Sequence, residues 1–141
     1  MANITPTITR VVGQGGLDGY QVIWATMHNG DVGLPVGSAI GDGASAVVPS
    51  GGGFFAGFAD KSAAITGTFG AGGNMVIEGS NDGGTTYFAL TTPIGGGLGT
   101  ITAAALNAVT EAVLWLRPRV SAGDGTTALT ATMFFRKTQT P

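Results

Sequence analysis

The sequence predicts an all-β chain, an antiparallel β-sandwich of about eight strands with one short helical turn. Three observations predict it. Thr, Val, Ile and aromatic residues gather in short runs, and these residue types fit a pleated, half-buried surface. Gly-rich punctuation separates the runs, with 26 Gly in 141 residues, and short strands between turn signals at this spacing mark sandwiches and barrels. Hydrophobic residues make up 43% of the chain and charged residues only 10%. That hydrophobic share is too high for a disordered chain, so a packed core is expected. The length suits a single domain over residues 1–141.

The elements follow in order. Residues 4–12 alternate Ile, Thr and Val and read as a first strand. Residues 20–28, YQVIWATMH, form a second, with Trp24 on the face of Tyr20 and Val22. Residues 29–53 break the pattern with eight Gly and two Pro, and are expected to form a long surface loop. Residues 54–59 read as a short strand and 61–69 as another. Residues 74–80 and 85–92 are expected to pair across Ser80-Asn81-Asp82-Gly83-Gly84, whose Asn, Asp and Gly supply the positive φ values of hairpin turns. Thr102 followed by Ala103, Ala104 and Ala105 suggests the helical turn, since Thr caps and Ala favours helix. Residues 112–121 and 127–137 are expected to form a second hairpin across Gly123-Asp124-Gly125. Val76, Leu90, Leu114, Leu116, Val120 and Leu129 are the expected core.

Composition removes much chemistry. With no Cys there is no disulfide scaffold, thiolate zinc site or thiol nucleophile, and one His cannot supply a histidine metal triad. The net charge of −2 and six basic residues give no footprint for nucleic acid. No run of apolar residues is long enough to cross a bilayer as a helix, and residues 1–6 do not read as a secretory leader. No nucleophile elbow, phosphate-binding loop or dinucleotide fingerprint occurs. Asp31, Asp42, Asp60, Asp82 and Asp124 lie beside Gly or at strand ends, where Asp serves turns. His28 ends a strand with no nameable catalytic partner. No cofactor, metal or catalytic residue is assigned, and the chain is read as a non-enzyme.

Charged residues are too few to dress the outer faces of a sandwich, so Thr, Ala and Gly must do so, and weakly polar surfaces of this kind suggest interfaces. Two contact regions are expected. Val32, Leu34, Val36, Ile40, Val47 and Val48 are apolar residues set in the Gly-rich 29–53 segment, spaced too irregularly for a strand. Arg117, Arg119, Arg136 and Lys137 hold most of the positive charge.

Asn74-Met75-Val76-Ile77-Glu78-Gly79-Ser80-Asn81-Asp82-Gly83, then Tyr87 and Leu90, then Leu116-Arg117-Pro118-Arg119-Val120 and the Gly123–Thr132 stretch GDGTTALTAT carry a resemblance. Over residues 54–137 the pattern resembles the cement, or decoration, proteins of tailed-phage capsids, in size and layout those of short-tailed Bordetella phages. The resemblance implies a jelly-roll sandwich and a viral structural role on the outer capsid surface of the virion, assembled in the host cytoplasm. There it would bridge capsomers and stabilise the shell. It further implies the major capsid protein as partner and self-association, a homodimer first and a trimer second, with no nucleic acid or membrane. Two alternatives stay open at this point. One is another virion component, a tail or head–tail protein; the other is a carbohydrate-binding β-sandwich using the aromatics near Tyr87.

Overall fold

A computed structural model of the chain describes residues 2–12, 18–37 and 60–136. It is all-β, with two sheets packed face to face as a β-sandwich. Among the described residues eleven strands stand where about eight are expected, because the first reading splits in two and three short strands lie in segments read as loop or helical turn. The 4–12 strand divides into β1 (Asn3–Ile4) and β2 (Thr7–Val12) around Pro6, which has no N–H to give a ladder. The second strand is β3 (Asp18–Met27). The start of the 29–53 segment is not an irregular loop but two short strands, β4 (Val32–Gly33) and β5 (Val36–Gly37). Next come β6 (Asp60–Thr68), β7 (Asn74–Ser80) and β8 (Phe88–Ala89). The last three are β9 (Ala105–Ala108), β10 (Trp115–Ala122) and β11 (Ala128–Arg136). The strand expected at 54–59 and the remainder of the loop lie outside the described residues.

The first sheet runs β1-β4-β10-β7-β8, with β5 also on β10; the second runs β2-β3-β11-β6-β9. Pairing is antiparallel except between β1 and β4. Met75, Ile77, Leu116 and Val120 of the first sheet meet Val22, Trp24, Ile65, Met133 and Phe135 of the second. Of the six expected core residues, five are buried, while Leu114 is exposed because it precedes β10 and its backbone N–H is taken by the Asn81 side chain.

Two departures from alternation have visible causes. Trp24 and Met27 both enter the core although they are three residues apart. A bulge lies between them: Ala131 pairs with Trp24, Leu129 with Met27, and Thr26 takes φ 55°. Pro118 sits inside β10, a central strand, where a missing N–H should cost a ladder bond. Its ring lies against Gly33, and the facing edge is interrupted there, between β4 and β5.

Two expectations are corrected. Residues 105–108 are not a helical turn but edge strand β9, paired with β6 from Ser62–Ala108 to Ile65–Ala105. A two-turn helix is marginal alone and leaves most of its backbone groups unsatisfied at its ends, whereas the edge of β6 offers them ladder partners. Likewise β10 and β11 do not form a hairpin; they lie in different sheets. The Gly123-Asp124-Gly125 turn is an arch between sheets, stitched to the neighbouring arch that joins β6 to β7. Thr127 Oγ1 donates to the Phe69 carbonyl at 2.8 Å, and Ala71 N donates to Asp124 Oδ2 at 2.9 Å.

Candidate docking face

The outer face of the second sheet is built by cross-strand register. One row runs across all five strands as Thr7–Ile23–Thr132–Ala64–Leu106. The next runs Thr9–Gln21–Phe134–Ser62–Ala108. None of these ten side chains is charged. Alternation explains the face: Val22, Trp24, Met133, Phe135, Ala63 and Ile65 turn inward, so the intervening residues must turn out. Leu106 is 72% exposed and Phe134 37%. Phe134 lies against Gly19, where a Cβ would approach its ring to 2.8 Å. Two charges stand at one margin of the face, where Arg136 Nε donates to Asp60 Oδ2 at 2.8 Å.

The outer face of the first sheet is different. Val76, Glu78, Ser80 and Trp115 point outward yet are buried, and the 81–87 loop folds back toward them. A Cβ on Gly84 would lie 2.7 Å from the Trp115 ring, and the Arg117 guanidinium sits 3.5 Å from the Tyr87 ring centroid. The loop is held by its own turn chemistry. Ser80 Oγ donates to Asp82 Oδ1 at 2.7 Å, and the same oxygen accepts the N–H groups of Thr85 and Thr86. Those bonds, the Thr86 N–H first, hold the Asp82 carboxyl below the usual carboxylate range.

Six of the ten expected contact residues lie among the described residues. Val36 is fully buried in the core, so its side chain presents nothing to a partner. Val32 and Leu34 are half-buried. Their segment is anchored by the Trp24 indole N–H, which donates to the Leu34 carbonyl at 3.0 Å, and by Gly33, where a Cβ would lie 2.7 Å from the Trp24 ring. Arg117 and Arg119 converge on one carboxylate: Arg117 Nε reaches Glu78 Oε1 at 2.8 Å, and Arg119 Nε and Nη2 reach Oε1 and Oε2 at 3.2 and 3.3 Å. Their charge is thus partly spent within the sheet. Arg136 pairs with Asp60. Ile40, Val47, Val48 and Lys137 lie outside the described residues. The expected residues are therefore not one surface: Arg117 and Arg119 stand on the outer face of one sheet, Arg136 at the margin of the other.

Sequence reading by period-two alternation puts the neighbours Phe134 and Phe135 on opposite faces, and Phe135 is fully buried while Phe134 is exposed. It missed Leu106, because an alanine-rich stretch read as helix hides the alternation that places Leu106 outward. It missed buried Lys61 too, whose row faces inward with Ala63 and Ile65. Burial lowers the Lys61 ammonium below the ordinary lysine value, opposed by the nearby Glu111 carboxylate.

Among the described residues, no three His, Cys, Asp or Glu side chains are grouped so as to hold a metal ion. The two loops with Asp at their tips use that Asp internally. Asp124 Oδ1 accepts from Thr126 N at 2.8 Å and Thr126 Oγ1 at 2.7 Å; these bonds and that of Ala71 bring its carboxyl down to about 2. His28 Nδ1 is 2.9 Å from the Thr127 carbonyl. What the geometry offers is an uncharged face across five strands that carries two large exposed apolar side chains, Leu106 and Phe134. No family model, curated protein or solved structure matches the chain.

Proposed function

We propose that this chain is a capsid cement protein of a tailed phage, a jelly-roll sandwich that docks on the outer shell and bridges neighbouring capsomers. The observation that carries the reading is the uncharged outer face of the second sheet, ten residues across five strands with exposed Leu106 and Phe134. It agrees with the resemblance of residues 54–137 to cement proteins. A protein selected to coat a shell must desolvate a wide area cheaply. Ala has no polar group to desolvate and a Thr or Ser hydroxyl that finds a hydrogen bond is buried cheaply, whereas each unpaired charge would cost roughly several kcal/mol. Binding only the assembled shell stabilises it by RT ln(1 + [L]/Kd) per site. A dimer presenting two such faces would bridge two capsomers.

The composition of purified particles of the phage that encodes the chain tests this reading. A copy number comparable to that of the capsid protein is expected, at positions between capsomers. A few copies per particle would place the chain in the tail or neck instead, and its absence from the particle would end the reading.

A further inference from the structure

A second surface lies at one end of the sandwich, and none of its residues belongs to the uncharged face. There a groove of about 380 Å³ opens between the β7–β8 loop and residues 111–113. Its floor is apolar. Gly79 and Val113 meet so closely that a Cβ on Gly79 would lie 2.8 Å from a Val113 methyl carbon, and Leu90 continues the floor. Phe88 forms a wall and is 70% exposed, an aromatic side chain on an edge strand that its own fold leaves bare.

The polar groups of the rim are half used. Asn81 Oδ1 accepts the Leu114 N–H at 2.9 Å, which fixes the amide and leaves Nδ2, a donor, without a partner among the described residues. Asp82 Oδ1 accepts from the Ser80 hydroxyl and the Thr85 and Thr86 N–H groups, the Thr86 hydroxyl adds to the same carboxylate, and Oδ2 keeps acceptor capacity beyond these bonds. A donor and an acceptor on successive, rigidly held residues match a hydroxyl pair, since each hydroxyl both gives and takes a hydrogen bond. Glu111 adds further acceptor capacity; its two oxygens already hold Thr91 N at 2.9 Å and Thr91 Oγ1 at 2.6 Å. A mostly apolar concavity with a few fixed polar groups is the form small-ligand sites take.

We propose that this groove binds a neutral saccharide, one sugar ring lying against Phe88 with adjacent hydroxyls on Asn81 Nδ2 and Asp82 Oδ2. A sugar ring has an apolar C–H face for the aromatic wall and a hydroxyl rim for the amide and carboxylate. Two carboxylates on the rim select against sialic acids, uronic acids and phosphorylated sugars. The proposal is independent of capsid docking, because the groove and the uncharged face share no residue.

The test is an amide chemical-shift map of the full chain titrated separately with methyl glycosides of glucose, galactose, mannose and N-acetylglucosamine, and with tetramethylammonium. At least one glycoside is expected to move the amides of residues 79–90 and 111–113 and no distant set. Phe88→Ala should weaken that binding about tenfold, the scale of an aromatic contact, with the remaining amide pattern unchanged, while Phe88→Tyr retains it. Shifts with tetramethylammonium but with no sugar would make the groove a cation site and overturn the proposal. So would silence with every glycoside, shifts centred elsewhere, or undiminished binding by the Phe88→Ala variant.

Discussion

Leu116 shows how much one side chain carries. It is fully buried in a central strand and packs into the core between the sheets. Leu116→Ala removes transferred area and leaves a cavity, so a loss of about 2–5 kcal/mol is expected in denaturant unfolding. Leu114→Ala, two residues earlier and exposed, should cost within about 0.5 kcal/mol. Asp124 makes a pH prediction. Its carboxyl titrates at about 2 when folded against an ordinary 3.8. The folded state therefore holds fewer protons in that window, and the stabilisation present above pH 3.8 is lost as pH falls through about 2. Melting temperatures of wild type and Asp124→Asn should differ at pH 6 and converge near pH 2; a constant gap would place the stabilisation elsewhere. Lys61 acts in the same sense on the basic side. With its folded value below 10.5, stability rises with pH from that lowered value toward 10.5.

Among elements, the β7–β10 pair carries the buried carboxylate with two guanidinium partners. Arg117 stands directly opposite Glu78, and Arg119 reaches the same carboxylate diagonally. Glu78 is buried on the outer side of its sheet, under the loop that carries Tyr87. Glu78→Gln would leave two guanidinium groups facing an amide, and a loss of about 1–3 kcal/mol is expected. Equilibrium unfolding of that variant beside Arg119→Met and the double variant measures the coupling; strictly additive losses would show the cluster to be idle. Strand β9 teaches the limit of propensity. Ala-rich residues 103–105 favour helix locally, yet the edge of β6 decides the conformation. By contrast β7 occupies the expected residues 74–80, because alternation and turn residues agree there. Strand β10 begins at Trp115, later than the 112 expected, and the Leu114 N–H goes to the Asn81 side chain instead of a ladder.

For the whole molecule, the two sandwich faces have separate fates. The first sheet covers its own outer surface with the 81–87 loop, whereas on the outer surface of the second Leu106 and Phe134 are exposed and Ile23, Thr132 and Ala64 half-buried. The proposed function places the shell against the outer surface of the second. Thr132 is at its centre, flanked by Ile23 and Ala64. Thr132→Glu should leave melting within a few degrees of wild type, as surface changes of about 0.5 kcal/mol do. It should also reduce occupancy on stripped capsids sharply, because a buried unpaired carboxylate opposes docking. Wild-type occupancy by that variant would move the contact to another surface, the arginines of the first sheet being next.

Much was legible in the sequence because it is local. Period-two alternation, β-branched runs and Asn-Asp-Gly turn chemistry act between residues close in the chain, so the all-β class, most strand positions and five of the six core residues could be read directly. Tertiary structure decided which strands share a sheet. The Gly-Asp-Gly turn is compatible with a hairpin or with an arch, and only the partners available to β10 and β11 select the arch. It also decided that Val36 is core rather than contact, that Arg117 and Arg119 spend their charge on Glu78, and that Leu106 faces outward. Each of these outcomes depends on residues tens of positions away. Pairing and burial between distant segments are won by the edge or cavity that is present when the sheets close, and no local pattern encodes that.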